Sequence, residues 1–148
     1  MFLIAGKGPE RDRLSKMIAE QGLAEKVALI GHEEDVRGFL GILDIFVLPS
    51  YSEGMSNAIL EAMASGVPIV VSDIPPNLEI FEKAKELELY IGETSKCGDY
   101  VDLARKLECL LDRPDLDSLG ENGRIVASKS FSLDSRILKE LAIYEGKM

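Results

Sequence analysis

Five short apolar runs, at residues 2–5, 27–30, 45–48, 69–71 and 89–91, alternate along this chain with segments of helical period. Runs this short and uniformly apolar have no polar face to offer water, so strands built from them must be covered on both sides. Residues 10–21, 33–43, 57–64 and 77–87 lie between them. Each can form a helix that carries the chain back to the start of the next parallel strand. The pattern predicts an α/β fold: a Rossmann-like, doubly wound parallel sheet of about five strands. Ligands of such sheets sit beyond the carboxyl ends of the strands, which directs attention to the loops that follow them.

Beyond residue 91 the sequence turns helical, over 99–111, 116–130 and 133–144, with Pro114 separating the first two segments. The chain has 148 residues, 46% of them hydrophobic and 29% charged, and neither a repeat nor a Pro/Gly-rich linker. One domain over residues 1–148, with a helical C-terminal tail, is therefore expected. The first strand begins at the first residue, without the βα unit that would ordinarily cover an edge strand. A missing preceding unit is the expectation.

A formal net charge of −9 repels phosphate backbones and anionic lipid, and no Lys/Arg cluster offsets it, so nucleic acid is not an expected partner. Cys97 and Cys109 lack metal-ligand spacing and have no neighbouring His. Free thiols in a cytoplasmic protein, with neither disulfide nor metal, follow as the simpler reading. No apolar run approaches the roughly 18–20 residues that span a bilayer, and residues 1–5 are too short for a signal sequence. No membrane-spanning segment is expected, although a larger enzyme containing this chain could still associate with a membrane.

The densest chemistry follows the third apolar run, where Pro49-Ser50-Tyr51-Ser52-Glu53-Gly54-Met55-Ser56-Asn57 leads into a helical segment carrying Glu61. A loop at the end of a strand places Gly54, Met55 and Ser56 at a helix N-terminus, where unpaired N–H groups and the helix dipole favour a phosphate. Ser56 and Asn57 also suit helix capping, a role compatible with ligand binding. Glu53 and Glu61 stand eight positions apart, about 12 Å if helical rise holds throughout. That matches the reach from a ribose across a diphosphate to a sugar, and carboxylates accept hydrogen bonds from vicinal hydroxyls without needing a metal.

Other motifs fall away. Gly6-Lys7-Gly8 lacks the third glycine of a dinucleotide fingerprint, since position 11 is Arg11, and no Ser or Thr follows Lys7 as a P-loop requires. No Gly-x-Ser-x-Gly elbow exists to make a hydrolase of Ser50, Ser52 and His32. His32, the single histidine, is retained only for a contact to a nucleotide base.

Residues 49–68 resemble the Glu-x7-Glu signature of the group 1 (family 4) retaining glycosyltransferases. The resemblance extends to Gly6-Lys7-Gly8-Pro9-Glu10, residues 27–31, Asp35-Val36 and Asp44-Ile45-Phe46-Val47-Leu48-Pro49-Ser50, and covers most of residues 1–111. It implies the C-terminal, donor-binding half of a GT-B architecture, and transfer of a sugar from a nucleotide diphosphate donor to a hydroxyl acceptor without a metal or other cofactor. Glu53 would contact the donor sugar as the catalytic carboxylate, and Glu61 would bind the ribose. Gly54, Met55, Ser56 and Asn57 would line the diphosphate and sugar, while Gly6, Gly8, Gly31 and His32 would border the base. The partners implied are a nucleotide sugar and an N-terminal acceptor-binding domain.

The pattern departs from the family in three places. Pro75-Pro76 stands where glycines are common, and residues 82–88 form a charged segment best read as a solvated helix. The family's Arg and Lys that neutralise the diphosphate would precede residue 1. Two further readings stay open on these grounds: a non-catalytic, truncated or split donor-binding module, favoured by the missing first βα unit, and a nucleotide-sugar epimerase-like domain, disfavoured by residues 49–61.

Overall fold

The computed structural model describes residues 1–132, and the helix expected over 133–144 lies outside the described residues. Among the described residues, five strands alternate with helices and a sixth helix follows the fifth: β1 (Phe2–Ala5), α1 (Arg11–Glu20), β2 (Val27–Gly31), α2 (Val36–Leu40), β3 (Phe46–Leu48), α3 (Asn57–Ala64), β4 (Ile69–Ser72), α4 (Pro75–Glu86), β5 (Gly92–Ser95), α5 (Tyr100–Leu111) and α6 (Leu116–Ser130). The chain divides into two compact units, Met1–Phe39 and Leu40–Met148.

In the first unit β1 and β2 run parallel, with Phe2 opposite Val27 and an irregularity between Ile4 and Ala5. The amide of Gly6 donates to the Gly31 carbonyl at 2.6 Å. The Arg11 guanidinium reaches the Leu29 carbonyl at 3.4 Å, tying the start of α1 to β2. Helix α2 is shorter than the pattern over 33–43 predicts. The Asp35 carboxylate accepts the Gly38 amide at 2.9 Å, an interaction typical of a helix start, so Glu33 and Glu34 precede the helix.

The second unit is built on a three-stranded parallel sheet in the order β3-β4-β5. Central β4 is buried along its whole length, as the uninterrupted run Ile69-Val70-Val71 requires. Side chains alternate across a strand. Accordingly Ile69 and Val71 join Ile59, Met63, Ile80 and Val126 in one cluster, while Val70 meets Leu110 and Leu119 in another. The helices therefore cover both faces, and the doubly wound α/β architecture is borne out.

The fifth strand lies later than predicted. Residues 89–91 connect α4 to β5 instead: past the helix end at Glu86, Glu88 adopts φ 58° and the Leu89 amide donates to the Ala84 carbonyl at 2.9 Å. Pairing begins at Gly92, whose φ is 147° and where a Cβ would stand 1.9 Å from the Ile69 carbonyl oxygen. Only glycine admits that approach, and the polar Gly-Glu-Thr-Ser of an edge strand carries no apolar signal. Pro75 and Pro76 open helix α4, two residues before the predicted start at 77, because the first helical turn needs no N–H donor. Residues 82–86 are the end of that same helix, with Glu82, Lys85 and Glu86 exposed as expected of a solvated segment and Ala84 buried on its inner side. Gly120 on α6 lies so close to Gly66 that a Cβ would meet its carbonyl oxygen at 2.0 Å, which lets α6 pack against the end of α3.

Candidate functional site

The carboxyl ends of the three parallel strands of the second unit converge. Residues 49–56 follow β3, Ser72 ends β4, and Cys97 lies just beyond β5. The Ser50 carbonyl accepts the Ser72 hydroxyl at 2.6 Å, with the Cys97 thiol at 3.8 Å. The Ser50 hydroxyl donates to Glu53 Oε1 at 2.7 Å. Glu53 is half-buried, between exposed Ser52 and Gly54.

The neighbouring strand ends are knitted by their own hydrogen bonds. Asp73 donates its amide to the Ser95 carbonyl at 2.9 Å, and its carboxylate accepts the Cys97 amide at 2.8 Å. Asp102 accepts the Lys96 amide at 2.9 Å. That bond, followed by the Arg105 guanidinium, holds the Asp102 carboxyl below the usual carboxylate range. Asp99 caps α5, its Oδ1 accepting the amides of Val101 and Asp102.

Ser56 stands at the N-cap of α3 with extended backbone, but its side chain makes no capping bond. The capping chemistry read from the sequence is therefore not used. The first-turn amides are left without a side-chain acceptor, a configuration suited to an anion. Gly54 and Met55 are exposed, as is Asn57 at the first helical position. The predicted loop–helix junction is thus where the sequence placed it.

Glu53 itself lies outside α3, which begins at Asn57. Helical rise therefore applies only from Asn57 to Glu61, not over the whole interval from Glu53. Glu61 is exposed on α3 and, with Asn57 four residues before it, lines a groove of about 430 Å³ between α3 and α6. The far wall includes Arg124, Ser128 and Phe131 of the α6 region. Sequence reading missed these residues, since nothing in a helix of mixed polarity says which loop or helix it will face.

In the first unit, Gly6 and Gly8 line a separate hollow of about 200 Å³ with Lys7, Arg11, Leu14 and Leu29. Gly31 ends β2 at φ 75°, and His32 after it is exposed. Among the described residues, no three His, Cys, Asp or Glu side chains are grouped so as to hold a metal ion. No described helix is long and apolar enough to cross a membrane.

Comparison with known proteins gives these features a family. The chain is 30% identical over 99% of its length to the lipopolysaccharide core biosynthesis mannosyltransferase LpsB of Rhizobium meliloti, but spans 42% of that protein. Among solved structures it resembles TarM of S. aureus, determined with UDP bound, at 27% identity and a TM-score of 0.83; the match covers 97% of this chain and 28% of TarM. The Anabaena protein HepE, solved in complex with UDP-glucose, shares the fold at 20% identity and a TM-score of 0.79, covering 99% of this chain and 40% of HepE. The profile described as "Glycosyl transferases group 1" matches residues 1–126. This chain belongs to the group 1 glycosyltransferase family.

Proposed function

We propose that this chain is the nucleotide-sugar-binding half of a metal-independent, retaining glycosyltransferase of GT-B architecture, acting in cytoplasmic carbohydrate biosynthesis. The observation that carries the reading is the loop over residues 49–56: it ends at an uncapped helix N-terminus and holds the Glu53 carboxylate by a hydrogen bond from Ser50. On this reading Glu53 accepts hydrogen bonds from the donor sugar and orients it for attack by an acceptor hydroxyl. The amides at the start of α3, around Gly54, Met55, Ser56 and Asn57, receive the negative charge that grows on the departing diphosphate. The C–O bond to the diphosphate breaks through an oxocarbenium-like transition state, and the acceptor hydroxyl gives its proton to the departing diphosphate as its oxygen takes the sugar on the same face.

Glu61 lines the α3–α6 groove and is assigned to the ribose, contributing binding rather than chemistry. The assignment of Gly6, Gly8, Gly31 and His32 to the base follows from the sequence resemblance. An acceptor-binding domain completes the enzyme, and the relatives' greater length supports this. UDP and UDP-glucose are the first probes, because TarM and HepE were solved with them.

Calorimetric titration of the chain with UDP and UDP-glucose, and with the corresponding GDP compounds, tests the reading. Glu61→Ala is expected to weaken nucleotide and nucleotide sugar alike by about tenfold to a hundredfold, the scale of a hydrogen bond to a charged group. Glu53→Ala is expected to lower affinity for the nucleotide sugar alone. Equal losses for both ligands in both variants would overturn the assignment.

A further inference from the structure

Residues 49–55 make no backbone–backbone hydrogen bond to the sheet among the described residues. The loop that carries Glu53 is therefore attached by side chains. Ser72, 1% exposed, ends the otherwise apolar strand β4, and a hydroxyl buried there is costly unless it is bonded. Its single proton has two acceptors within reach, the Ser50 carbonyl at 2.6 Å and the Leu48 carbonyl at 3.4 Å. The shorter contact takes it. Behind it, fully buried Asn77 donates Nδ2 to the Ser72 carbonyl at 2.9 Å. Ahead of it, Ser50 donates its own hydroxyl to Glu53 at 2.7 Å. The Cys97 thiol also points at the Ser50 carbonyl, but at 3.8 Å and as a weak donor.

We propose that Ser72 is a positioning residue for Glu53: its hydroxyl, backed by Asn77, fixes the Ser50 carbonyl, and Ser50 in turn aims the Glu53 carboxylate. The chain of contacts runs from the first turn of α4, through the end of β4, to the loop after β3. A single oxygen atom on the central strand thereby sets the geometry of a carboxylate on a neighbouring loop. The consequence for donor binding rests on the role proposed above for Glu53, whereas the positioning itself does not.

The test is NMR relaxation of the backbone amides of the full chain without ligand, paired with calorimetry against UDP and UDP-glucose. In Ser72→Ala, the order parameters of residues 51–56 are expected to fall below about 0.6, while those of Val70 and Val71 stay at the rigid-backbone level of about 0.85. Ser72→Thr, which keeps the hydroxyl, is expected to restore the loop. The preference for UDP-glucose over UDP is expected to fall as far in Ser72→Ala as in Glu53→Ala, and no further in the double variant. Unchanged loop order parameters in Ser72→Ala, or equal loosening of loop and β4, overturns the positioning role. Loop loosening confined to residues 51–56, combined with an unchanged ligand preference in Glu53→Ala, upholds the positioning role and refutes the donor-sugar role of Glu53.

Discussion

Arg124 on α6 donates from its guanidinium to the carbonyl of Ser65, at 3.0 Å, where α3 ends. A second bond, to the Ala64 carbonyl at 3.2 Å, makes this one side chain the acceptors' partner at a helix terminus that has no basic residue of its own. A cation at that end also complements the helix dipole. The contact fixes the helix bearing Glu61 to the opposite wall of its groove.

Arg124→Ala is therefore expected to destabilise the fold by about 1 kcal/mol, the scale of a partly exposed hydrogen-bonded cap. Urea unfolding reads this as a lower midpoint with an unchanged slope. An unaltered midpoint would show that the two carbonyls are served equally well by water.

Gly92→Ala should be more damaging. The added Cβ would meet the Ile69 carbonyl oxygen at 1.9 Å, at a φ of 147° that side chains rarely adopt. Overpacking and backbone strain together are expected to cost about 2–4 kcal/mol. Thermal unfolding checks it, with Ala at neighbouring Thr94 as the comparison. A loss no larger than that of Thr94→Ala would refute the close-approach argument.

Acid should act through Glu93. Partial burial works to raise its carboxyl, but hydrogen bonds from the Lys106 ammonium and the Tyr90 hydroxyl outweigh it and hold the group below the usual glutamate range. A carboxyl lowered on folding contributes stability that is present above its unfolded value, about 4.3. That contribution is lost as pH falls through the folded value. Melting temperatures measured between about pH 6 and 3 should therefore decline less steeply in Glu93→Gln than in the parent chain. Parallel curves would mean that Glu93 bears no part of the acid sensitivity.

Cys97 offers a chemical report on the strand ends. Both thiols, Cys97 and Cys109, are exposed, but only Cys97 stands beside the Ser50 carbonyl and the Asp73 carboxylate. Iodoacetamide is expected to label both, and saturating UDP-glucose to slow labelling at Cys97 while leaving Cys109 unaffected. Equal rates with and without the nucleotide sugar would place the donor away from the end of β5.

The βα alternation was legible from residue order alone, because a strand buried on both faces must be apolar throughout, as Ile69-Val70-Val71 is, and because α3 and α6 carry their own periodicity. The Glu53-to-Glu61 segment was legible for the same local reason: a strand, a glycine-bearing loop and a helix start are consecutive in the chain. What tertiary structure decided is everything that depends on a distant neighbour. Edge strand β5 is polar, and its place follows from Gly92 meeting Ile69. Ser72 reads as an ordinary serine until β4 lies beside the loop after β3 and brings its hydroxyl to Ser50. Arg124 reads as a surface charge until α6 packs on α3. Apolar pattern and helix period are properties of neighbouring residues, whereas a hydrogen bond across 22 or 59 positions exists only once packing has brought its two ends together.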